Sequence, residues 1–270
     1  MSEVRDFAIE RVRFPLKMRL LRVKEVSREL PNFVRITLQS DELEDFQSAS
    51  FDDHVKLFFP EPGCDRPVLP EVGANGLIFP EGQARPTVRD YTPRRYDPLK
   101  RELVLDFAIH NGGAAITWAQ QAQPGHYLGM GGPRGSMVIP SHFDWHFLIG
   151  DETAYPAIAR RLEELPAQAL VYTFIEVDDP SAQLPLNTKA QLSATWLYRR
   201  DQQDEVKAFV DALSDTALPE GEGFIWAAAE SAVIKAVHQH FVTVRGVDKS
   251  RIRASNYWKH GVKNAPREVE

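Results

Sequence analysis

Cysteine is nearly absent from this sequence, since Cys64 is the single thiol among 270 residues. One thiol excludes an internal disulfide, a zinc ribbon and an iron–sulfur cluster held by cysteines alone. We interpret Cys64 as a small residue in a turn-rich loop. The scarcity of cysteine favours a reducing compartment.

Long apolar runs and a surplus of basic residues are also missing. No uninterrupted apolar stretch approaches the ~20 residues of a membrane span, and no apolar core of a secretory signal follows the charged N-terminus. The formal net charge is -6, whereas nucleic-acid-binding proteins normally carry excess positive charge. We therefore expect a soluble cytoplasmic protein that binds neither nucleic acid nor membranes, with a monomer as the default state.

Motifs for metal binding and for nucleophilic catalysis are missing as well. The close histidine pairs, His142 with His146 and His238 with His240, lack the spacing and additional ligands of a metal site. The sequence has no Gly-x-Ser-x-Gly motif and no cysteine–histidine pattern. We therefore expect no resident metal and no catalytic residue of the hydrolase kind.

The first half of the chain has the pattern of many short strands. Alternating or clustered apolar residues, separated by Gly and Pro, occur at residues 16–26, 32–38, 54–59, 90–95, 102–110, 126–130 and 136–139. Residues 61–86 are rich in Pro and Gly and predict a long excursion at a sheet edge. This pattern predicts an N-terminal antiparallel six-stranded Greek-key β-barrel.

The pattern changes after residue 141. Predicted strands at residues 146–150, 169–177, 194–198, 223–229 and 252–258 alternate with helices at residues 154–165, at residues 204–213 and from Ser231. Strands that alternate with helices form a parallel sheet. We therefore predict two domains, the barrel at residues 1–141 and an α/β domain at residues 142–270.

The segment Arg-Asp-Tyr-Thr-Pro-Arg-Arg at residues 89–95 is the first candidate site. On a strand, Arg89 and Tyr91 share one face, and Thr92 and Arg94 share the other. A tyrosine ring suits a flat aromatic ligand, a hydroxyl suits its polar edge, and arginine suits a pyrophosphate as a planar fork. The alternative is a solvent-facing barrel strand with a basic end.

Two glycine-containing segments are candidates for binding an anion. Residues 131–136, Gly-Gly-Pro-Arg-Gly-Ser, would let the backbone approach a phosphate, and Arg134 adds charge. Residues 110–119, from His110 to Ala119, place small residues where a helix begins, and a helix N-terminus favours an anion. The alternatives are two structural turns, with Trp118 packed in the core.

The turn Gly-Asp-Glu-Thr-Ala at residues 150–154 opens the predicted α/β domain. Ligands of open α/β sheets bind beyond the carboxyl ends of the strands, where this turn lies. The turn lacks the Gly-x-Gly-x-x-Gly fingerprint of a dinucleotide site. Asp151 and Thr153 as helix caps are the alternative.

The tail at residues 256–263, Asn-Tyr-Trp-Lys-His-Gly-Val-Lys, is the last candidate. Here Trp258 would cover a ring-shaped ligand, and Lys259 and Lys263 would contact an anionic substrate. The alternative is a solvated tail with a packed tryptophan.

Together these segments resemble the siderophore-interacting protein family of flavin-dependent ferric-siderophore reductases. The most specific pieces of the resemblance are residues 89–94, 104–110, 132–135, 150–154 and 257–259. The resemblance implies a ferredoxin-reductase-like fold, with FAD on the barrel and the nicotinamide donor on the sheet. It also implies that FAD is held non-covalently, that NADH or NADPH is the electron donor, and that a ferric siderophore is the acceptor.

The resemblance further implies which residues hold the cofactor and substrate. Arg89, Tyr91 and Thr92 would contact the flavin ring and ribityl region, while Asp106 and His110 would hold the adenylate half or the ribityl chain. The remaining cofactor residues would be Ala115, Thr117 and Trp118 at the pyrophosphate, Gly132, Arg134 and Ser136 nearby, Asp151 and Thr153 near flavin and nicotinamide, and Trp258 as a lid. We expect Lys259, His260 and Lys263 to steer an anionic ferric siderophore.

Two other functions are compatible with these residues. One is a general flavin oxidoreductase that exchanges electrons with a ferredoxin-like or quinone partner. The other is a siderophore-binding protein without enzymatic activity, which would be colourless because it holds no flavin. The sequence does not distinguish NADH from NADPH, because no arginine can be assigned to a 2′-phosphate.

Overall fold

The computed structural model describes residues 6–74, 76–109 and 112–262, and these form two compact units. The antiparallel unit comprises Ala8–Ile139. The α/β unit comprises the described residues from Pro140 onward together with Asp6 and Phe7. Within the described ranges, no helix is both long enough and apolar enough to cross a membrane.

A seven-stranded antiparallel sheet forms most of the antiparallel unit. Its strands and those beside it are β1 (Glu10–Arg13), β2 (Met18–Ser27), β3 (Phe33–Gln39), β4 (Val55–Phe59), β5 (Glu71–Gly73), β6 (Gly76–Ile78), β7 (Thr87–Tyr91), β8 (Arg95–Asp97), β9 (Glu102–Ala108), β10 (Tyr127–Gly131) and β11 (Gly135–Val138). The order in the main sheet is β7-β4-β10-β2-β3-β9-β8. Helix α1 (Ala114–Gln121) connects β9 to β10.

The sheet is curled, because its two edge strands are consecutive in the chain. Only residues 92–94 separate β7 from β8, so the two edges of the sheet must lie close together. The predicted antiparallel barrel-like architecture is confirmed, with seven strands where we expected six. The difference arises because Pro93 has no N–H for a ladder and splits the strand expected at residues 90–95.

The core of the antiparallel unit follows from the alternation of side chains along β3. Val34, Ile36 and Leu38 are buried in the apolar core, while Arg35 between them is half-buried on the other face. The partner strand β9 differs, because it is buried on both faces from Leu103 to Phe107. A charged residue within such a strand needs a partner of opposite charge.

The Pro- and Gly-rich excursion at residues 61–86 is partly ordered by packing. It contains the hairpin of β5 and β6, which sequence reasoning missed. Leu69 packs against β10 at Gly129, where an added Cβ would lie 2.2 Å from the Leu69 Cδ2 atom. Position 129 therefore requires a glycine, because the excursion folds back onto the sheet and leaves no room for a side chain.

The α/β unit has a five-stranded parallel sheet with helices between the strands, as predicted. Its elements are β12 (Trp145–Gly150), α2 (Tyr155–Glu164), β13 (Leu170–Val177), β14 (Gln191–Tyr198), α3 (Glu205–Ser214), β15 (Gly223–Glu230), α4 (Ser231–Gln239) and β16 (Ile252–Trp258). The strand order is β14-β13-β12-β15-β16, and all neighbours are parallel. The central strands β12 and β15 are buried throughout, as is usual for a parallel sheet covered on both faces.

Gly150, the last residue of β12, allows the close approach of β15 and of the turn that follows. A Cβ atom at this position would lie 2.5 Å from the Ala228 carbonyl oxygen and 2.4 Å from the Ala154 Cβ. Both neighbours belong to well-packed parts of the unit, since Ala228 and Ala154 are fully buried. The carboxyl end of the sheet therefore depends on a glycine here.

We predict that Gly150→Ala lowers the free energy of unfolding by about 1–3 kcal/mol, because the added methyl group overpacks the site and forces backbone shifts. Urea unfolding of the two proteins measures the difference. Gln203→Ala, at an exposed position of the same unit, is the control and should change stability by less than about 0.5 kcal/mol. Equal stability of Gly150→Ala and the native chain would contradict the close approach.

Candidate functional site

An aromatic pair, Tyr91 and Trp118, lies on two core phenylalanines of the antiparallel unit. The Tyr91 ring centroid is 4.4 Å from that of Phe107 and 6.4 Å from that of Phe59. The Trp118 ring is 5.9 Å from Phe107 and 5.7 Å from Phe59. Both residues are half-buried, so part of each ring packs on the core and part is accessible. The fold thus brings together two of the predicted site residues.

Strand β7 sets the directions of Tyr91 and Arg89. In the ladder with β4, Tyr91 lies opposite Val55 and Arg89 lies opposite Leu57, so the two side chains share a face. Burial raises the pKa of the Tyr91 phenol, which therefore stays neutral at physiological pH. The half-buried Arg89 places its Nη1 2.7 Å from the backbone carbonyl oxygen of Val88.

Asp106 holds two arginines from different parts of the antiparallel unit. Its buried carboxylate accepts a bidentate pair of hydrogen bonds from Arg35, from Nε at 2.6 Å and from Nη2 at 2.7 Å. Arg94, buried after β7 together with Thr92, has its Nε 3.8 Å from Asp106 Oδ2. The Asp106 side chain is thus engaged by the protein itself, and a cofactor contact through its backbone stays a prediction. His110, which we expected beside it, lies outside the described residues.

Helix α1 begins at a pair of glycines with open space around them. Gly112 and Gly113 have φ values of 75° and 124°, and among the described residues no heavy atom outside the adjoining chain lies within 4 Å of a Cβ placed on either residue. Gly113 is the N-cap and has no side chain to accept from the first N–H groups. The helix N-terminus therefore favours an anion. Ala115 is buried, whereas Thr117 is exposed, and a cofactor contact of either residue stays a prediction.

Two glycines of the turn after β10, Gly132 and Gly135, are required by the backbone itself, without any ligand. A Cβ at Gly135 would lie 2.3 Å from the Val12 carbonyl oxygen, because β1 pairs closely with β11. Gly132 has a φ of 91°, which favours glycine whatever its neighbours. Arg134 is exposed, and its role at a phosphate stays a prediction.

Ser136 belongs to a buried hydrogen-bond network. Its hydroxyl donates to Asp53 Oδ2 at 2.7 Å and accepts from the Ala49 N–H at 3.1 Å. Burial raises the pKa of Asp53, which the Ser136 hydrogen bond partly offsets. These contacts occupy the Ser136 hydroxyl donor, so a cofactor contact there, still a prediction, would use its remaining acceptor capacity.

These residues fit a flavin dinucleotide. Tyr91 and Trp118 offer partly accessible aromatic surface, the start of α1 offers an uncapped helix N-terminus, and Arg89 offers a planar cation. A flavin needs each of these: an apolar contact for its ring, and N–H groups or arginine for its pyrophosphate. The antiparallel unit therefore has the donors and surfaces that bound FAD requires.

In the α/β unit, Asp151 caps the turn after β12. It accepts at Oδ1 from the Thr153 N–H at 2.8 Å and from the Thr153 hydroxyl at 2.5 Å. Its Oδ2 accepts from the Trp258 indole at 2.7 Å. Burial raises the pKa of Asp151, and the neighbouring Glu152 carboxylate raises it further. Asp151 thus caps the short 3-10 turn of residues 152–154, whereas Thr153, the other cap we expected, donates to Asp151 and is not a cap. A role of either residue near flavin or nicotinamide stays a prediction.

A cluster of carboxyl groups around Arg199 lies at the same end of the sheet and was not predicted. Arg199 Nη2 is 2.7 Å from Glu152 Oε2 and 3.0 Å from Glu176 Oε2, and Nη1 pairs with Asp178. The charge of Glu205 raises the pKa of Glu176, and the Oε1 atoms of both residues are buried with no hydrogen-bond partner among the described residues. Within the described ranges, no three His, Cys, Asp or Glu side chains are placed to hold a metal ion.

The pKa of Glu176 reflects this arrangement. Burial, followed by the charge of Glu205, raises the pKa of Glu176 to about 8, although Arg199 opposes the shift. Burial likewise raises the pKa of Glu205. A single arginine does not balance several buried carboxylates, so the pair retains a proton at neutral pH.

The predicted substrate residues lie on the segment after β16. Lys259 and His260 are exposed, and Lys263 lies outside the described residues. The His260 ring contacts the Trp258 ring edge-on, with centroids 4.6 Å apart. The Trp258 indole is half-buried and bonded to Asp151. The lid and steering roles stay predictions.

Solved structures share this fold. The ferredoxin reductase in carbazole 1,9a-dioxygenase (FAD apo form) aligns with a TM-score of 0.64 and 16% identity, covering 88% of this chain and 67% of that chain. A siderophore utilization protein from T. fusca aligns with a TM-score of 0.86 and 37% identity, covering 96% of this chain and 98% of that chain. The chain thus has a ferredoxin-reductase-like fold, and its antiparallel unit has residues suited to FAD.

The sequence comparisons identify the family. Residues 21–137 match the siderophore-interacting FAD-binding domain, and residues 143–261 match the siderophore-interacting protein. The NADPH-dependent ferric-chelate reductase of Escherichia coli (strain K12) is 40% identical over 252 residues, 92% of this chain and 96% of the relative. The ferric vibriobactin reductase ViuB of Vibrio cholerae is 33% identical over 256 residues, 94% of this chain and 92% of the relative. The chain therefore belongs to the siderophore-interacting protein family.

We predict that Asp106→Asn lowers the free energy of unfolding of the flavin-free protein by roughly 3 kcal/mol, because a buried charge pair loses one partner. Denaturant unfolding measures this change. Asp90→Asn on the edge strand β7 is the matched control, since its pair with Lys56 is exposed and should contribute at most about 1 kcal/mol. If both variants had the same stability, Asp106 would not be the buried anchor of this unit.

We predict that Glu176 contributes a fall in the free energy of unfolding as the pH rises from about 4.5 to about 8, measured as the difference between the native chain and Glu176→Gln. The buried His146, whose pKa is lowered to about 3, contributes in the opposite direction at acidic pH in both proteins. The folded chain keeps a proton in this interval that the unfolded chain releases, so deprotonation favours unfolding. Each unit of pKa shift corresponds to about 1.4 kcal/mol, so the loss amounts to several kcal/mol at most. Glu176→Gln, which resembles the protonated carboxyl group, should be more stable than the native chain at high pH and similar to it at low pH.

The control for this pH effect is Asp178→Asn, since Asp178 pairs with Arg199 but is partly exposed. Denaturant unfolding at several pH values compares the three proteins. Asp178→Asn should keep the slope of stability against pH, and Glu176→Gln should reduce it. Identical slopes for the native chain and Glu176→Gln would refute the raised pKa of Glu176.

Proposed function

We propose that this protein is a flavin-dependent ferric-siderophore reductase, which uses electrons from NAD(P)H to reduce the iron and release it as Fe(II). The observation that carries this proposal is the meeting of Tyr91, Trp118 and the uncapped start of α1 in the antiparallel unit. The family and the names of the reductases that resemble the chain support it. Fe(II) binds oxygen-donor siderophores far more weakly than Fe(III), so reduction accomplishes release.

The protein's own part in this reaction is to bind and orient the cofactor. When bound, FAD would supply the capacity to take up two electrons and to release them one at a time. We propose that Tyr91 and Trp118 contact the isoalloxazine or adenine ring, and that Arg89 and the α1 N-terminus hold the pyrophosphate. The neutral Tyr91 phenol adds no charge beside the ring. No side chain needs to act as an acid or base for electron transfer to iron.

We propose that the nicotinamide donor binds at the carboxyl end of the parallel sheet. The support is general: open α/β sheets bind ligands beyond the carboxyl ends of their strands. A ferredoxin-like protein is the alternative donor, and a cytoplasmic monomer is the state we propose for the protein. Flavin bleaching by NADPH, by NADH and by a reduced ferredoxin under anaerobic conditions discriminates the donors.

The purified protein should be yellow, with the absorption bands of a flavin that heat denaturation releases as free FAD. Its rate with ferric siderophores should exceed its rate with quinones by an order of magnitude or more. A colourless protein that binds ferric siderophores would support the non-enzymatic alternative. Faster reduction of quinones than of ferric siderophores would support the general oxidoreductase.

We predict that replacing both Lys259 and Lys263 by alanine raises the KM for an anionic ferric siderophore roughly threefold or more at low ionic strength. The lysines would attract the anion, and salt should weaken the effect. Steady-state kinetics at low and high salt measure it. Lys235→Ala, at another exposed lysine of the α/β unit, is the control. An unchanged KM at low salt would exclude the steering role.

A further inference from the structure

A buried carboxylate, Asp53, gathers three hydrogen-bond donors on one of its oxygen atoms. Its Oδ2 accepts from the Ser48 hydroxyl at 2.8 Å, from the Ser50 N–H at 3.1 Å and from the Ser136 hydroxyl at 2.7 Å. The first two donors belong to the segment directly before Asp53, whereas Ser136 lies 83 residues away in the chain, in β11. Both Asp53 and Ser136 are buried. Their hydrogen bond therefore joins the entry to β4 to the chain that follows β10.

The turn between β10 and β11, residues 132–135, is fixed along its backbone by further contacts. The Gly132 N–H donates to the Lys17 carbonyl at 3.2 Å, and the Arg134 carbonyl accepts from the Phe14 N–H at 2.9 Å. The Arg134 side chain is exposed, and among the described residues no salt bridge engages its guanidinium. The fold thus holds the backbone of the turn and leaves the charge of Arg134 available to a ligand.

Strand register places this turn at the same end of the sheet as Tyr91. Gly131 lies opposite Lys56, and Lys56 lies opposite Asp90, so these residues form a row across β10, β4 and β7. Because β10 and β7 are both antiparallel to β4, they run in the same direction, and the next residues are Gly132 and Tyr91. Neighbouring strands lie about 4.8 Å apart, so the turn begins roughly 10 Å from the Tyr91 backbone. An anion bound beside a ring on Tyr91 is therefore near the turn.

We propose that the Asp53–Ser136 hydrogen bond positions the turn so that Arg134 meets a bound oxyanion. The oxyanion lies at the Tyr91 end of the sheet. In terms of the proposed function, on which this inference rests, it is the pyrophosphate of FAD or an anionic ferric siderophore. A loop that must be ordered during binding lowers the affinity, so a turn fixed in advance strengthens the contact of its arginine. Asp53 and Ser136 are thus positioning residues that act through Arg134.

Ser136→Ala and Ser48→Ala form a matched pair for the test, because each removes one hydroxyl donor from the same oxygen of Asp53. Only Ser136 also carries the turn. The flavin-loaded proteins are compared by the dissociation constant of FAD, from flavin fluorescence on dilution. They are also compared by the KM and kcat for ferric citrate, an anionic ferric chelate, at full flavin occupancy.

A hydrogen bond to a charged group corresponds to a change of about tenfold in an equilibrium constant. We therefore expect Ser136→Ala to raise one of the two binding constants by up to about tenfold, with kcat unchanged, and Ser48→Ala to leave both constants as in the native chain. A raised dissociation constant of FAD identifies the oxyanion as the pyrophosphate. A raised KM with native FAD binding identifies it as the ferric chelate.

A double-mutant cycle separates positioning from a general loss of stability. If Ser136 acts through Arg134, Ser136→Ala has its full effect in the native chain and none in the Arg134→Ala chain. Ser136→Thr, which keeps the hydroxyl group, should restore the native constants. Equal effects of Ser136→Ala with and without Arg134, or equal effects of Ser136→Ala and Ser48→Ala, would overturn the proposal.

Arg134→Ala alone decides the matter if Ser136→Ala folds poorly, because an exposed side chain can be removed at little cost in stability. Native FAD binding together with a native KM in Arg134→Ala would refute the proposal. A native chain that holds no flavin, or that reduces no ferric chelate, would contradict the proposed function and this inference with it. A flavin-loaded ferric reductase whose Ser136→Ala variant has native constants would contradict only the positioning role.

Discussion

The antiparallel unit depends on the ion pairs that the buried Asp106 carboxylate forms with two arginines. Strand β9 is covered on both faces, so a charge in it costs several kcal/mol unless it is paired. Arg35 on β3 and Arg94 after β7 supply the pairing. Because these arginines come from separate strands, one carboxylate ties the register of β3 and β9 to the position of the chain beyond β7. The aromatic site forms where this position brings Tyr91 onto Phe107.

The carboxyl end of the parallel sheet is held by a different balance of charge. Burial and neighbouring carboxylates raise the pKa values of Asp151, Glu176 and Glu205, whereas Arg199 opposes the shift at Glu176 and Glu205. Protonation of Glu176, whose pKa is raised to about 8, lowers the charge of this cluster at neutral pH. The carboxyl end of the sheet is therefore acidic but partly neutralised. Asp151 and Glu230 accept hydrogen bonds there from the Trp258 indole and from the His260 backbone N–H.

The architecture could be predicted from the sequence because side-chain periodicity reports burial directly. Alternation along β3 predicted a strand with one apolar face, and Gly150 followed by Asp151 predicted a strand-to-helix turn at the edge of a parallel sheet. The sequence also indicated Tyr91 as a candidate site residue, because it stands among arginines, whereas Trp118 became a candidate only through the family resemblance. Both roles stay predictions.

Contacts between distant segments could not be predicted, because local sequence patterns do not determine the register between strands. Arg35 is an ordinary outward residue of β3 until the ladder places it opposite Asp106. Glu176 and Glu205 likewise come from a strand end and a helix start whose approach depends on the tertiary fold.

The direct test of the proposed function is an anaerobic cycle of the purified protein, in which the flavin absorbance and the Fe(II) bound by a ferrous chelator are followed together. The account predicts that NADPH or NADH bleaches the flavin, and that a ferric siderophore then restores its colour as Fe(II) is trapped. Restoration by oxygen alone, with no Fe(II) formed from the ferric siderophore, would contradict it.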